Sequence, residues 1–368
     1  MKKLFMERRI LKLVLVLLFL VSLALYFILT AYGEGCINKQ SDITAYREWS
    51  GDQKYGQISC YFDKNAYISE YTVQETKFNI NNELRQLGKQ EETESDHFLY
   101  AYYGESEGRI ASEERSVSVK MRLVGGDYFL LHPLKMLTGT YFTPADVMQD
   151  YCIVDEEVAF ELFGSDNIAG QLVVLDGCEF IVRGVFESNT ERFHEAAGDS
   201  GKIVYVSQDG YAQSLGYGLN DARPVDAYEF VLPNDVPGYA LDIVKKCFSD
   251  SSTALLIDQS ERFDMENLWE IFKHRSERSM IVTRYYYPFW ENIARAYEDI
   301  LARVFVGRAL CLLICGVLFV TLLVYLYRNL RPSGADIKNF FEKIVEGVRK
   351  LFRRKRFRES EVQNEENL

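Results

Sequence analysis

Histidine, tryptophan and proline are scarce in this 368-residue chain, with four, three and seven copies. The four histidines (His97, His132, His194 and His274) are scattered, with no H-E-x-x-H pair and no cysteine–histidine cluster, so the ligand spacing of a zinc site is missing. The spacing G-x-S-x-G occurs once, at Gly104-Glu105-Ser106-Glu107-Gly108, a match too short to mark the nucleophile elbow of a serine hydrolase on its own. No G-x-x-x-x-G-K-[ST] loop occurs, so the chain does not hydrolyse ATP by that route. Carboxylates are plentiful, but at such density chance pairs are expected. Asp155-Glu156-Glu157 reads as the charged start of a helix rather than as acid–base machinery. The composition therefore predicts a protein that is not an enzyme.

Charge is absent from two long stretches. Leu13 to about Tyr32 carries none, and neither does Ala309–Tyr327, which Arg308 and Arg328 bound. About 20 apolar residues in a helix cross about 30 Å of hydrocarbon, so both are read as transmembrane helices. The first is too long for the core of a signal peptide, and no A-x-A site follows it. Residues 1–12 hold five basic groups against Glu7, and Arg328–Arg358 holds eleven against three acidic ones. Both ends are thus expected in the cytoplasm, with residues between the spans outside it. Residues 13–327 carry 26 basic and 46 acidic groups, a surplus that argues against nucleic acid as a partner.

The exported region holds five cysteines (Cys36, Cys60, Cys152, Cys178 and Cys247), and an odd number leaves at least one thiol free or paired between chains. Cys36–Cys60 and Cys152–Cys178 are the disulfides to test first, because each joins neighbouring segments. Buried reduced thiols are the competing reading. Cys311 and Cys315 lie one turn apart in the second span.

Gly33 and Gly35 are expected to interrupt the helix after the first span. Beyond them, Ile58–Phe62 reads as a strand, Val73–Leu87 as a helix ended by Gly88, and Lys89–Asp96 as a solvated loop. His97–Tyr103 and Val117–Val124 read as two further strands. Shorter strands follow at Cys152–Val154, Gln171–Leu175, Glu179–Phe186 and Lys202–Ser207. A helix at Glu156–Phe163 stops at Gly164, and Asp176-Gly177 marks a hairpin. A second β-α-β unit spans Tyr228–Leu232, Pro237–Phe248 and Ala254–Asp258. Pro288 then opens a helical pattern running into the second span. Its stripe of Phe289, Ile293, Ala294, Tyr297, Leu301 and Val304 predicts a stiff stalk. Tyr285-Tyr286-Tyr287-Pro288-Phe289-Trp290 could bind a ligand, but stalk packing or a membrane-interface belt is the simpler reading.

The middle of the chain resembles the extracytoplasmic core domain of MacB-type ABC transporter permeases, a group related to FtsX and LolC/E. The residues that carry the resemblance begin with Val124-Gly125-Gly126-Asp127-Tyr128-Phe129 and Leu137-Thr138-Gly139-Thr140-Tyr141-Phe142-Thr143. Ile153-Val154-Asp155-Glu156-Glu157-Val158-Ala159 with Leu162-Phe163-Gly164, Ile168-Ala169-Gly170-Gln171, and Phe180-Ile181-Val182-Arg183-Gly184-Val185-Phe186 complete it. The order and spacing are specific, though no single element is. At these positions the physics is structural, with Gly139, Gly164, Gly170 and Gly184 suited to turns or close backbone approach and Leu162 and Phe163 to burial.

The resemblance implies an α+β fold, with two β-α-β units and an inserted β-rich subdomain at about 125–205. The expected organisation is a cytoplasmic N-terminus (1–12), a first span (13–32), a core domain (33–287), a stalk (288–308), a second span (309–327) and a cytoplasmic tail (328–368). Family permeases have four spans, so either a half-permease-like subunit or a derivative that has lost transport is expected, in the plasma or inner membrane. No cofactor is implied, and ATP would act only through a partner ATPase or another permease subunit, in a homo- or hetero-oligomer. The alternative is an extracytoplasmic binding or sensing scaffold, an FtsX-like regulator of envelope enzymes without transport. In the tail, Ile337, Phe340, Phe341, Ile344, Val345, Val348, Leu351 and Phe352 keep helical spacing, with Arg353, Arg354, Lys355 and Arg356 after them. Such a helix suits an anionic membrane surface, or a partner subunit.

Overall fold

From the N-terminus, helix α1 (Lys2–Asn38) leads into two short helices, α2 (Ser41–Thr44) and α3 (Tyr46–Trp49), and strand β1 (Tyr55–Phe62). Helix α4 (Glu70–Gln86) precedes the long strands β2 (Leu99–Ala111) and β3 (Ser116–Gly126). The next stretch contains α5 (Tyr128–Leu131), β4 (Met136–Gly139), β5 (Tyr151–Asp155), α6 (Glu156–Phe163), β6 (Leu172–Leu175), β7 (Cys178–Phe186) and α7 (Arg192–Ala196). Then come β8 (Ile203–Ser207), α8 (Gln208–Ser214), β9 (Ala227–Pro233), α9 (Tyr239–Cys247), β10 (Ala254–Asp258), α10 (Met265–Lys273) and α11 (Phe289–Leu330). The computed structural model describes residues 2–49, 54–63, 66, 68–86, 98–218, 220–248, 254–274 and 284–330. His97, the whole 89–96 loop and the whole patterned tail, including Phe340, Phe341, Ile344, Val348, Phe352 and Arg353 to Arg356, lie outside the described residues.

Two units partition the chain, one of residues 1–29 with 307–368 and one of residues 30–306. In the first, the described residues are an antiparallel helix pair. Gly307 lies against Leu29, the Ser22 hydroxyl donates to the Cys311 carbonyl at 3.1 Å, and the Cys315 thiol reaches the Phe19 carbonyl at 3.9 Å. Gly307, Cys311 and Cys315 recur every four residues, and such small side chains let two apolar helices approach closely. The other faces present Leu13, Leu17, Phe27, Ile28, Leu313, Val317 and Val320 outwards, as a lipid-facing surface would.

In the second unit, ten strands form one sheet in the order β10-β1-β9-β2-β3-β8-β5-β7-β4, with β6 pairing to β2 and β7. Only β3–β8 and β5–β7 are parallel. The expected β-rich insertion has its own core, in which Val158, Ala159 and Leu162 of α6 pack on Cys152, Val154, Val182 and Val206. It is not a separate layer, because β8 adds directly to β3 and carries the body's sheet into it.

Strand alternation sorts the body's two faces. Ile58, Cys60 and Phe62 of β1, with Tyr228, Phe230 and Leu232 of β9, pack beneath α4 and α9. Tyr61, Ala227 and Val231 face the opposite core, which Ile43 of α2, Tyr128 of α5, Leu268 of α10 and the α11 stripe complete.

Two expectations are corrected. Helix α1 continues through Gly33 and Gly35 to Asn38. A glycine costs a helix interior only about 1 kcal/mol, and Gly33 sits beside Leu301 and Val304 of α11. All seven cysteines are free, so neither expected disulfide forms. Cys36 and Cys60 belong to cores on opposite faces of the sheet. Cys152 stands opposite Val182, and Cys178 lies four residues up that strand. At about 3.3 Å per residue this is about 13 Å, beyond the roughly 7 Å limit for a disulfide.

Candidate functional site

Beneath α11 the sheet face is polar where alternation would place apolar side chains. Ser59 of β1 and Glu229 of β9 are cross-strand partners, and the Ser59 hydroxyl donates to the Glu229 carboxylate. His132, just after α5, is 2% exposed and bridges two carboxylates. Its Nε2 lies 2.5 Å from Glu229 and its Nδ1 lies 3.0 Å from Asp42 of α2. Burial favours the neutral ring, but Glu229 and Asp42 outweigh it and hold the His132 pKa up at about 9. Both ring nitrogens of this imidazolium therefore donate. Tyr128 and Trp290 flank the ring, with centroids at 4.6 Å and 4.3 Å.

The network continues into α11. Gln259 donates to the hydroxyls of Ser59 (2.9 Å) and Tyr61 (3.2 Å), and the Tyr61 hydroxyl donates to Glu291 at 3.0 Å. Arg262 grips Glu291 with both terminal nitrogens (2.6 and 2.9 Å) and reaches Glu298 through Nε at 2.6 Å. Arg295 adds a further bond to Glu291 at 2.7 Å. Burial would raise the Glu291 pKa, but the Arg262 and Arg295 guanidiniums lower it to about 2. This buried chain of charges ties β1, β9 and the α10 approach to the first turns of α11. Unpairing a buried charge is costly, so the network fixes one arrangement of the helix on the sheet.

A second buried cation lies nearby. Arg122 of β3 is fully buried, donates to Asp199 at 2.5 Å and to the Tyr205 hydroxyl at 2.6 Å, and covers the Phe289 ring at 4.1 Å. Asp199 also accepts from His194 at 2.6 Å. Burial lowers the His194 pKa, but the bond to Asp199 prevails and raises it above the ordinary value. Between the two cationic centres opens a cleft of about 420 Å³, whose lining includes Lys39, Asp42, His132, Glu191, His194 and Asp199. Its volume lies within the range of small-ligand sites, although its walls are more charged than most. Among the described residues no group of His, Cys, Asp and Glu could hold a metal ion.

Of the residues that carried the resemblance, Asp155 and Phe186 line the cleft and Tyr128 flanks His132, while most lie elsewhere. Gly139 and Gly184 face each other across β4 and β7, where a side chain on Gly184 would meet the Met136 methyl at 2.4 Å and the Thr138 carbonyl at 2.8 Å. Gly164 closes α6 in the left-handed conformation and donates to the Phe160 carbonyl at 2.9 Å. Phe142 packs edge-on against Phe129, Leu162 is buried and Phe163 half-buried in the insertion's core. The Gly170 amide donates to the Val182 carbonyl, while Gly125 and Gly126 end β3 opposite Tyr102 and Ala101. All of these shape the fold, and none lines the cleft. Asp155 caps α6 by accepting from the Glu157 amide at 2.8 Å, as its position suggests. The aromatic run is domain packing, with Trp290 2% exposed against Tyr103.

Sequence reasoning missed the network because its members are far apart in the chain. A local signal was present. Glu229 interrupts an otherwise apolar strand, Arg122 sits between Met121 and Leu123, and Glu291, Arg295 and Glu298 flank the apolar stripe of α11 at helical spacing.

A family model for the MacB-like periplasmic core domain matches residues 55–232. This chain carries a MacB-like core domain. Two helices long and apolar enough to cross a membrane lie outside the matched residues, as a membrane protein with a MacB-like domain outside the cytoplasm would have. Among solved structures, the periplasmic region of MacB from Actinobacillus actinomycetemcomitans is 15% identical, with TM-score 0.41, and is matched over 61% of this chain and 94% of its own. The extracellular domain of the noncanonic ABC-type transporter YknZ from Gram-positive bacteria is 13% identical, with TM-score 0.39, covering 55% of this chain and 99% of its own. A comparison with curated proteins finds no match.

Proposed function

We propose that this MacB-like chain is a non-catalytic, permease-like component of an ABC-type transporter that passes conformational change between its extracytoplasmic domain and a cytoplasmic ATPase. The observation that carries the reading is the clamp of Arg262 on Glu291. It bonds the turn after β10 to the first turn of α11, a single helix from Phe289 to Leu330, and Tyr61 of β1 donates to the same carboxylate. A rigid helix held by buried charges transmits displacement where a loose linker would absorb it. The basic flanks of the spans support cytoplasmic termini, and the tail from Phe340 to Arg356 would meet the ATPase, a second permease subunit or the inner leaflet. ATP would act only through that partner, and the chain itself would need no cofactor.

The test is a pull-down from native membranes, with the tail intact and with it deleted. The expected result is that an ATPase and a further permease subunit co-purify with the intact chain, and that breaking the partner's Walker lysine abolishes its function. A chain that stays alone in mild detergent, or that works normally with the Walker variant, overturns the proposal and supports a scaffold without transport.

A further inference from the structure

The connection from β7 to β8 differs from the rest of the domain because one end is anchored in the core and the other rests on the surface. At the anchored end, Lys120 and Arg122 of β3 donate to the Gly198 carbonyl (2.8 and 3.4 Å), and Arg122 also binds Asp199. At the surface end, α7 has no buried residue. It is attached at three points: Phe193 packs edge-on against Tyr297 of α11 at 4.9 Å, Glu191 pairs with Lys39 at 3.7 Å, and His194 binds Asp199. Gly198 and Gly201, both at positive φ, flank Asp199 and give the chain its bend there. Residues 187–191, His194, Asp199 and Ser200 together form one wall of the cleft.

We propose that residues 187–200 are a proton-operated clasp, in which His194 locks α7 onto Asp199 so that Phe193 seats on α11 and the cleft wall closes. Protonation at His194 decides the strength of the lock. A charged imidazole bonded to a carboxylate makes a bond roughly twice as strong as its neutral form does. Arg122 pairs with Asp199 from the buried side. The other groups around His194 are Glu191 and Glu195 on its own segment, Asp42 on α2, Lys39 at the end of α1, Arg122 on β3 and Tyr205 on β8. The nearby carboxylates favour the charged ring, so the clasp is locked in mildly acidic solution and loosens as the proton leaves. This device needs no ATPase, and it stands or falls independently of the proposed transmission.

Hydrogen exchange on the full chain in detergent tests it, with amide protection in residues 192–199 compared with that in β8 from about pH 5.5 to about pH 8.5, a range that brackets histidine titration. The expected result is that protection of these amides, corrected for intrinsic exchange, falls about tenfold across the range, the scale set by a charge-assisted bond. His194→Gln should hold protection at the low value throughout and remove the step. Phe193→Ala should lower protection at every pH while keeping the step. A step that persists in His194→Gln, or a wild-type protection independent of pH, overturns the proposal.

Discussion

Glu291, in the first turn of α11, accepts hydrogen bonds from both terminal nitrogens of Arg262, which lies just before α10. Neither side chain is more than 4% exposed. A pair buried this deeply gains little over two apolar groups of the same size, because desolvation offsets much of the attraction. Losing one partner is a different matter.

Arg262→Met is therefore expected to destabilise the protein by about 3–5 kcal/mol, since it leaves Glu291 buried with a weakened charge balance. The double variant Arg262→Met with Glu291→Met should recover most of that loss. Thermal unfolding of the full chain in detergent, followed by circular dichroism, measures both. A double variant less stable than either single one would show that the pair contributes more than mutual neutralisation.

His132 gives the protein an alkaline limit. Its pKa is raised from the ordinary 6.5 to about 9, so its stabilisation is complete below about 6.5 and disappears as pH rises through about 9. The shift corresponds to on the order of 3 kcal/mol. Denaturant unfolding at about pH 6, 7.5 and 9 should show stability falling by that amount, and His132→Gln should flatten the profile. A wild-type profile already flat across this window would refute the assignment.

The thiol state is directly measurable. Unfolded without reductant, the chain should release seven titratable thiols. In the folded protein Cys60 and Cys152 should resist alkylation, because both are buried and burial pushes their pKa values up. Five thiols on unfolding would restore one disulfide.

Gly184 and Gly164 should respond differently to alanine. At Gly164 the penalty is only the left-handed backbone, about 1 kcal/mol. At Gly184 the new methyl group meets the Thr138 carbonyl of β4, and the strands must part, at about 1–3 kcal/mol. Thermal melts of the two variants rank these effects, and equal losses would mean that β4 yields freely.

Much of this architecture was legible without coordinates. The uncharged runs fall on α1 and α11, α6 has the bounds its sequence predicts, and Asp176-Gly177 makes the β6–β7 hairpin with both residues at positive φ. These features are local, written in composition, periodicity and turn chemistry. The continuation of α1 through Gly33 was misread because a propensity of about 1 kcal/mol yields to packing. The charge network was illegible for another reason. His132 and Glu229 are 97 residues apart, and their meeting depends on the registers of β1, β9 and the loop after α5. Only the oddity of Glu229 within an apolar strand pointed to a buried partner.

The position of β1 in the sheet also has a consequence for biogenesis. Its neighbours are β9 and β10, and Ile58 pairs with Phe230 and with Asp258, about 170 and 200 residues later. Strands β2 to β8 find partners nearer in sequence, so they can assemble while the rest of the chain is still emerging. Until then β1 waits with both edges bare and its Ile58, Cys60 and Phe62 face unshielded, a state that invites pairing with the wrong chain. A strand that leaves the ribosome well before its partners is among the last to be enclosed.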